Sequence, residues 1–457
     1  MKIYKITLLF LVLISVLSCK KILDVNSPNE VDDGLVFTSV DGLRNARIGM
    51  YSSLQSRDYY GGVYPLLAEA YSDNGATGGY DVIDLNSLDE LNVAPNNLYV
   101  RGVYVAIYQS IYTANKILEN ADKITGAESA ELNNIKGEAY FVRALAHFDL
   151  LRMFGQHWDL ASPYGISLKT NTVNPSQSVA RSTVGASYTQ IINDLKQAAQ
   201  LITTYSGSQY ASVYSAKALL ARAYLYTKNY PEAITNANDV ISESGRFSLL
   251  GSSSLDKIYT QKNTGESVFE LKFTPQNQSF YNGFTYSRSD ALRSDVQFLA
   301  SESLKNFFES RTDDSRANLV DFTNVDVSIE PDGRTEKYRG ETTRDNSAYI
   351  LRLAEMYLIR SEALGLAGGG LTDLNLIREN RGMAPLVATD VTDIDAFAQA
   401  IADERRAELN FESSRLFDLS RTQTVESVLG TGVNPIMPIP QNDITIGQGI
   451  IKQNPGY

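Results

Sequence analysis

One pattern occurs twice in this chain, far apart in sequence: Glu138-x-Tyr140-x-x-Arg143-x-x-Ala146 and Glu355-x-Tyr357-x-x-Arg360-x-x-Ala363. Each copy lies inside an amphipathic run. Across 131–155 the apolar positions Leu132, Ile135, Ala139, Val142, Ala146 and Leu150 recur at three- and four-residue steps, as one face of a helix requires. Similar periodicity marks 103–120, 186–203, 211–227, 231–243, 348–367, 372–380 and 395–412. A pattern repeated inside repeated helices predicts a mainly α fold of stacked hairpins. The uneven spacing of the units excludes a solenoid of fixed period.

Residues 218–242, ALLARAYLYTKNYPEAITNANDVIS, look like a tetratricopeptide hairpin. Small Ala218, Ala221 and Ala223 allow close helix contact, Tyr230-Pro231 makes the turn, and Ala233, Ile234 and Ala237 face back. Between the helical blocks the chain changes character. Residues 244–347 are rich in Ser, Asn, Asp, Gly and aromatics, with strand-like pieces such as 267–273. A second irregular stretch covers 57–100, and the C-terminal 430–457 is rich in Gly, Pro and Asn. Loops this long inside a compact protein usually carry function when they are ordered, and their aromatic content favours order. The expectation is a helical scaffold presenting long loops and a few short strands as its binding surface.

The N-terminus reads as an export signal. Lys2 and Lys5 form a positive start, Ile6 to Val16 an apolar core, and Val16-Leu17-Ser18-Cys19 resembles a bacterial lipobox. The core is too short for a permanent membrane helix, which takes roughly 20 apolar residues. Cys19 is the sole cysteine. It is expected to become the lipidated first residue after removal of 1–18, with 19–35 as a tether to the fold. Several acyl chains, at ~0.8 kcal/mol per buried CH₂, hold a soluble domain to a membrane almost permanently. The mature chain then has no disulfide, thiolate metal site or cysteine nucleophile.

The formal charge of −12 argues against a nucleic-acid partner, which needs clustered Lys and Arg. Catalytic signatures are absent. The only histidines, His147 and His157, form no HExxH, and there is no GxSxG elbow. His147 reads as a helix-packing residue, and Gly365-x-x-Gly368-Gly369-Gly370 as a helix stop and turn. Glu404, Glu408 and Glu412, interleaved with Arg405, Arg406 and Arg415, read as ion pairs holding a helix. At the surface each such pair contributes roughly 0.2–0.5 kcal/mol. The Glu138/Arg143 and Glu355/Arg360 pairs read the same way. The pair Asp81 and Asp84 could bind calcium together with loop carbonyls, but an isolated acidic pair is weak evidence for a metal. Two carboxylates would suffice for a glycosidase, so acidic residues alone do not exclude that chemistry. No catalytic residue, metal or cofactor is expected.

Five segments in order give the chain a specific resemblance. They are Cys19-Lys20-Lys21-Ile22-Leu23-Asp24-Val25, the helix from Gly137 to Gly155, and the helix from Tyr349 to Ala363. Glu404-Arg405-Arg406-Ala407-Glu408-Leu409-Asn410-Phe411-Glu412 with Arg415-Leu416-Phe417-Asp418-Leu419 is the fourth. The last is Pro438-Ile439-Pro440 followed by Gln453-Asn454-Pro455-Gly456-Tyr457. Together they resemble the SusD/RagB family of nutrient-uptake outer-membrane lipoproteins from Bacteroidetes. The resemblance implies one globular fold in two portions, 36–245 and 246–457, with tetratricopeptide-like hairpins on one side and loops on the other. It implies a lipid-anchored protein facing the cell exterior that captures oligosaccharides. Delivery would be to a SusC-like TonB-dependent transporter, with peptide capture as the alternative. No acidic cluster follows Cys19, so surface display rests on the resemblance.

A sugar ring stacks its C–H face on aromatic side chains while its hydroxyls take Asp, Asn, Arg or Gln. The first irregular stretch offers Asp58, Tyr59, Tyr60, Tyr71, Asp73, Asn74 and Tyr80; the second offers Phe280, Tyr281, Asn282, Phe284, Tyr286, Arg288 and Asp290. A strand over 281–288 would send alternate rings to opposite faces. The expected ligand residues are Tyr80, Tyr281, Tyr286 and Arg288. For each loop aromatic the alternative role is anchoring the loop to the scaffold. Trp158 is expected to pack.

Overall fold

The computed structural model describes residues 37–77, 83–126, 128–172, 178–285, 298–322, 333–338 and 343–457. Cys19, Tyr80, Tyr286 and Arg288 lie outside them. The principal helices are α1 (Val40–Leu54), α2 (Val63–Ala70), α3 (Leu98–Asn120), α4 (Ser129–Phe154), α5 (Val184–Leu201) and α6 (Val213–Tyr226). They continue with α7 (Tyr230–Ile241), α8 (Leu353–Leu364), α9 (Leu371–Asn380), α10 (Ile394–Leu409) and α11 (Arg415–Thr422).

Local sequence sets the ends of these helices. Ser39, Asn97, Thr183 and Asp393 each accept a backbone N–H from the first turn of α1, α3, α5 and α10. Ser212 and Ser215 form a reciprocal capping box on α6. Pro231 occupies the first turn of α7, where no N–H is needed. Gly365 ends α8 at φ 65°, and a Cβ on Gly370 would lie 2.2 Å from the Ser361 carbonyl oxygen. The glycine run is therefore a tight helix–helix turn.

The helices pack in sequence order: α1 on α3, α3 on α4, α4 on α5, α5 on α6, α6 on α7, α7 on α8 and α8 on α9. Ala218, Ala221, Ala223, Ala233 and Ala237 are all 0 % exposed, which is how α6 and α7 approach so closely. This is the tetratricopeptide-like hairpin expected from the sequence. The described residues between 242 and 352 lie outside the row of helices, which resumes at α8, so an irregular block sits beside the hairpins.

Among the described residues, three two-stranded antiparallel sheets tie that block down. β1 (Gly75–Thr77) pairs with β3 (Phe298–Ala300), β2 (Ser267–Leu271) with β6 (Ala348–Arg352), and β4 (Val320–Asp321) with β5 (Arg334–Thr335). The periodic run 348–367 thus begins as a strand and turns helical only at Leu353. Every residue of β2 and β6 is buried, and pairing satisfies backbone groups that water cannot reach. The stretch 57–100 also holds more structure than its composition predicts, including α2. All eight α2 residues are buried, so it has no polar face and no amphipathic period.

The charged motifs lie inside the protein, a correction to their reading as surface pairs. Glu404 and Glu408 are 0 % and 2 % exposed and the Glu412 side chain 4 %, and the three face Arg311, Arg316, Arg352, Arg378, Arg381 and Lys337. Burial opposes ionisation of Glu408, but Arg381, Arg352 and Arg316 outweigh it and hold its carboxyl well below the usual range. The repeated pairs do not bond to each other either. Glu138 accepts both donors of Arg47 from α1, and Arg143 reaches Asp194 on α5. Glu355 accepts two from Arg222 on α6, and Arg360 reaches Asp373 on α9.

Candidate ligand-binding surface

The two irregular stretches meet beyond the C-terminal end of α1. The Phe280 N–H donates to the Gly61 carbonyl at 2.8 Å, and the Tyr281 hydroxyl donates to the Tyr60 carbonyl at 2.9 Å. The β1–β3 pairing adds a third tie and brings in Phe298. Gly62 makes room for this junction, since a Cβ there would lie 3.1 Å from the Phe284 ring and 3.3 Å from the Phe280 Cβ.

An aromatic patch results. Phe280 and Phe284 stack with centroids 6.0 Å apart, Phe284 meets Phe298 edge-on at 5.9 Å, and Phe298 meets Tyr99 at 6.5 Å. The Arg57 guanidinium lies 5.2 Å from the Phe284 ring, 5.9 Å from Tyr99 and 6.0 Å from Phe280. It also donates to Asp58 at 2.9 Å. Phe280 is 44 % exposed while Phe284 is 7 %, so Phe280 presents a ring to solvent on a packed support. Burial raises the Tyr99 phenol above its ordinary value, which keeps it a neutral hydrogen-bonding group.

Beside the patch, Asp58, Ser56, Arg101 and Gln109 line a hollow of about 440 Å³ together with Leu98 and Val105. Gly102 at its floor is required by Asp58, whose carboxylate oxygen would lie 2.9 Å from any Cβ there. An aromatic patch with a guanidinium against it and a hollow lined by a carboxylate and a second guanidinium therefore lie side by side, the composition that sugar recognition calls for.

Tyr281 requires correction as a direct contact. It is 1 % exposed, and its ring stacks on Tyr338 at 4.2 Å with planes 14° apart. Burial pushes its phenol well up. It anchors the loop. Its segment is one helical turn over Tyr281–Thr285, not a strand, which is why Phe280 and Phe284 share a face. Tyr59 and Tyr60 are likewise in the core, each hydroxyl donating to Asp149 at 2.6 Å. Tyr71 and Asn74 are 0 % exposed, and Asp73 pairs with Arg415 at 2.6 Å. Of the residues singled out from sequence, Asp58, Phe280 and Phe284 come together here. Arg57, Tyr99 and Arg101 were missed. Tyr99 had a signal: Leu98-Tyr99 follows the Asn97 cap but falls off the buried face set by Val100, Val103, Ile107, Ile111 and Ala114.

Neither histidine is available for acid–base chemistry. His147 and His157 are both 0 % exposed, and burial pushes each down to about 3. No group of three or more His, Cys, Asp or Glu side chains is placed to hold a metal ion among the described residues. No helix among them is long and apolar enough to cross a membrane. Trp158 is half-buried with its ring edge-on to His157.

Comparison with known proteins agrees with this architecture. A family described as starch-binding and associating with the outer membrane matches residues 21–225, and the SusD family matches 173–435. SusD-like protein P2 of Formosa agariphila is 26 % identical over the whole of both chains. A SusD superfamily protein from Bacteroides thetaiotaomicron superposes with a TM-score of 0.79 at 24 % identity, covering 92 % of this chain and all of the other. Surface glycan-binding protein A of the same organism, in complex with laminarihexaose, superposes with a TM-score of 0.73 at 17 % identity, again over 92 % of this chain and all of that one. With more than half of its length matched by the family model and its helical fold shared with these structures, the chain belongs to the SusD family.

Proposed function

We propose that this protein captures oligosaccharides at the outer membrane, without altering them, and passes them to a SusC-like TonB-dependent transporter. The observation that carries the proposal is the patch of Tyr99, Phe280 and Phe284 with Arg57 and Asp58, set where both irregular stretches meet. Exposed Phe280 and half-buried Tyr99 supply the stacking faces, and Asp58, Arg57 and Arg101 the hydroxyl partners. Tyr80, Tyr286 and Arg288 belong to the same two stretches and remain proposed ligand residues. The complex of a structural neighbour with laminarihexaose favours a glycan over a peptide. Anchoring at Cys19, with 19–35 as a tether and 36–457 as one working unit, completes the reading.

The test is a glycan array followed by calorimetry. Affinity is expected between about mM and μM, or roughly −4 to −8 kcal/mol. Phe280→Ala and Tyr99→Ala should each weaken binding about tenfold, equivalent to ~1.4 kcal/mol, with the helical circular dichroism unchanged. Binding of oligopeptides and no sugar would replace the glycan reading with peptide capture. Appearance of shortened products would replace it with catalysis.

A further inference from the structure

The hollow beside the aromatic patch does not end at Gln109. Val105 and Gln109 also border a second hollow of about 420 Å³ on the next stretch of α3. Its walls include Tyr104, Tyr108, Tyr112, Lys169 and Asp443. The tyrosines recur every four residues, so they line one edge of the helix next to the Arg101–Val105–Gln109 row. We propose that this second hollow is a sugar-binding subsite continuous with the first, so that one extended oligosaccharide lies along the outer face of α3. The proposal rests on the oligosaccharide reading above.

Three observations carry it. First, the rings here are fixed rather than loose: Tyr104 and Tyr108 pack edge-on at 4.8 Å, and the Tyr108 hydroxyl donates to the Ser167 carbonyl at 3.0 Å. The half-buried Tyr112 hydroxyl has no hydrogen-bond partner among the described residues. Second, Lys169 and Asp443 face the same hollow, yet neither has an ion-pair partner within 4 Å among the described residues. The Lys169 ammonium lies 4.5 Å from the Tyr108 ring centroid, in position to donate beside an aromatic wall. Burial lowers the Lys169 ammonium and raises the Asp443 carboxyl, so both are partly desolvated and both gain from a hydroxyl partner. Third, the two hollows run together from Leu98 to Tyr112, a span of about 21 Å at 1.5 Å per residue. That is several sugar rings, more than the aromatic patch alone can cover.

The experiment is calorimetry with size-graded oligosaccharides, beginning with laminari-oligosaccharides from disaccharide to hexasaccharide and extended to the same series of any glycan the array selects. Affinity is expected to rise about tenfold or more from the shortest to the longest ligand. Tyr112→Ala and Lys169→Ala should each remove most of that gain while leaving the disaccharide affinity unchanged, whereas Phe280→Ala weakens every length. Tyr112→Phe should keep most of the gain, since the ring remains. An affinity independent of length, or a gain untouched by both variants, would overturn the extended track and leave the capture function standing. Failure to bind any glycan would overturn the capture function, and the track with it.

Discussion

His157 lies against Trp158 and Tyr226, with ring centroids 5.3 and 5.5 Å away, and neither of its ring nitrogens meets a hydrogen-bond partner among the described residues. Burial, reinforced by the nearby Arg152 and Arg421 and opposed by Asp418, lowers it from its ordinary 6.5 to about 3. The unfolded chain takes up a proton below pH 6.5 and the folded one does not until about pH 3. Stability from this residue is therefore complete above 6.5 and is lost as pH falls, by about 1.4 kcal/mol per pH unit. Chemical denaturation should show His157→Phe within about 1.5 kcal/mol of the parent at pH 7. By pH 5 the variant should have gained about 2 kcal/mol relative to the parent. A difference between the two that does not change with pH would refute a buried neutral imidazole. The same scale explains which candidate residues were legible. Phe280 and Tyr281 are neighbours with the same local composition, yet one is exposed and the other is sealed against Tyr338. That distinction depends on a contact from a distant part of the chain, which no local pattern encodes.

At the scale of elements, the repeated Glu/Arg pattern does the same job twice. In each copy the glutamate receives an arginine from an earlier helix, and the arginine grips an aspartate on the next helix of its own hairpin. Both contacts are two-pronged: Arg222 to Glu355 at 2.7 and 2.5 Å, and Arg360 to Asp373 at 2.7 Å twice. Glu355 is 3 % exposed, and Arg360, whose side chain keeps 21 % exposure, holds an Asp373 side chain that is only 8 % exposed. Removing one partner of a buried pair strands the other charge and costs about 3–5 kcal/mol, while a pair in contact with water contributes about 1 kcal/mol or less. Glu355→Gln strands the buried Arg222 and Arg360→Ala the buried Asp373, so urea denaturation should show each losing about 3–5 kcal/mol; a loss of about 1 kcal/mol or less in either would mean that the stranded charge is not held away from water. Helices such as α3, α5 and α7 were readable because one face of each meets water. Element α2 and strand β6 were not, because burial on all sides removes the polar half of the pattern. The Glu404–Glu412 cluster was legible as structural but not as buried, since spacing along one helix does not reveal that six cations from elsewhere enclose it.

At the scale of the whole molecule, weak capture by a tethered protein is useful only if the ligand has somewhere to go. A sugar held with a Kd near mM to μM escapes quickly from a solitary binder. Two contacts joined by one tether raise the effective concentration of the second far above that in free solution. Residues 19–35 can supply such a tether if Cys19 carries the lipid, and the packed row of helices gives the loop surface a rigid body on which to swing. Cys19→Ala should then move the protein from the membrane fraction to the soluble one and remove acyl labelling, while the purified variant keeps its glycan affinity. Gentle detergent extraction of the parent through a C-terminal tag should recover a SusC-like barrel with it. A variant that stays membrane-bound with its label intact would end the lipid hypothesis. Recovery of this protein alone, with glycan uptake unchanged after its deletion, would end the partnership.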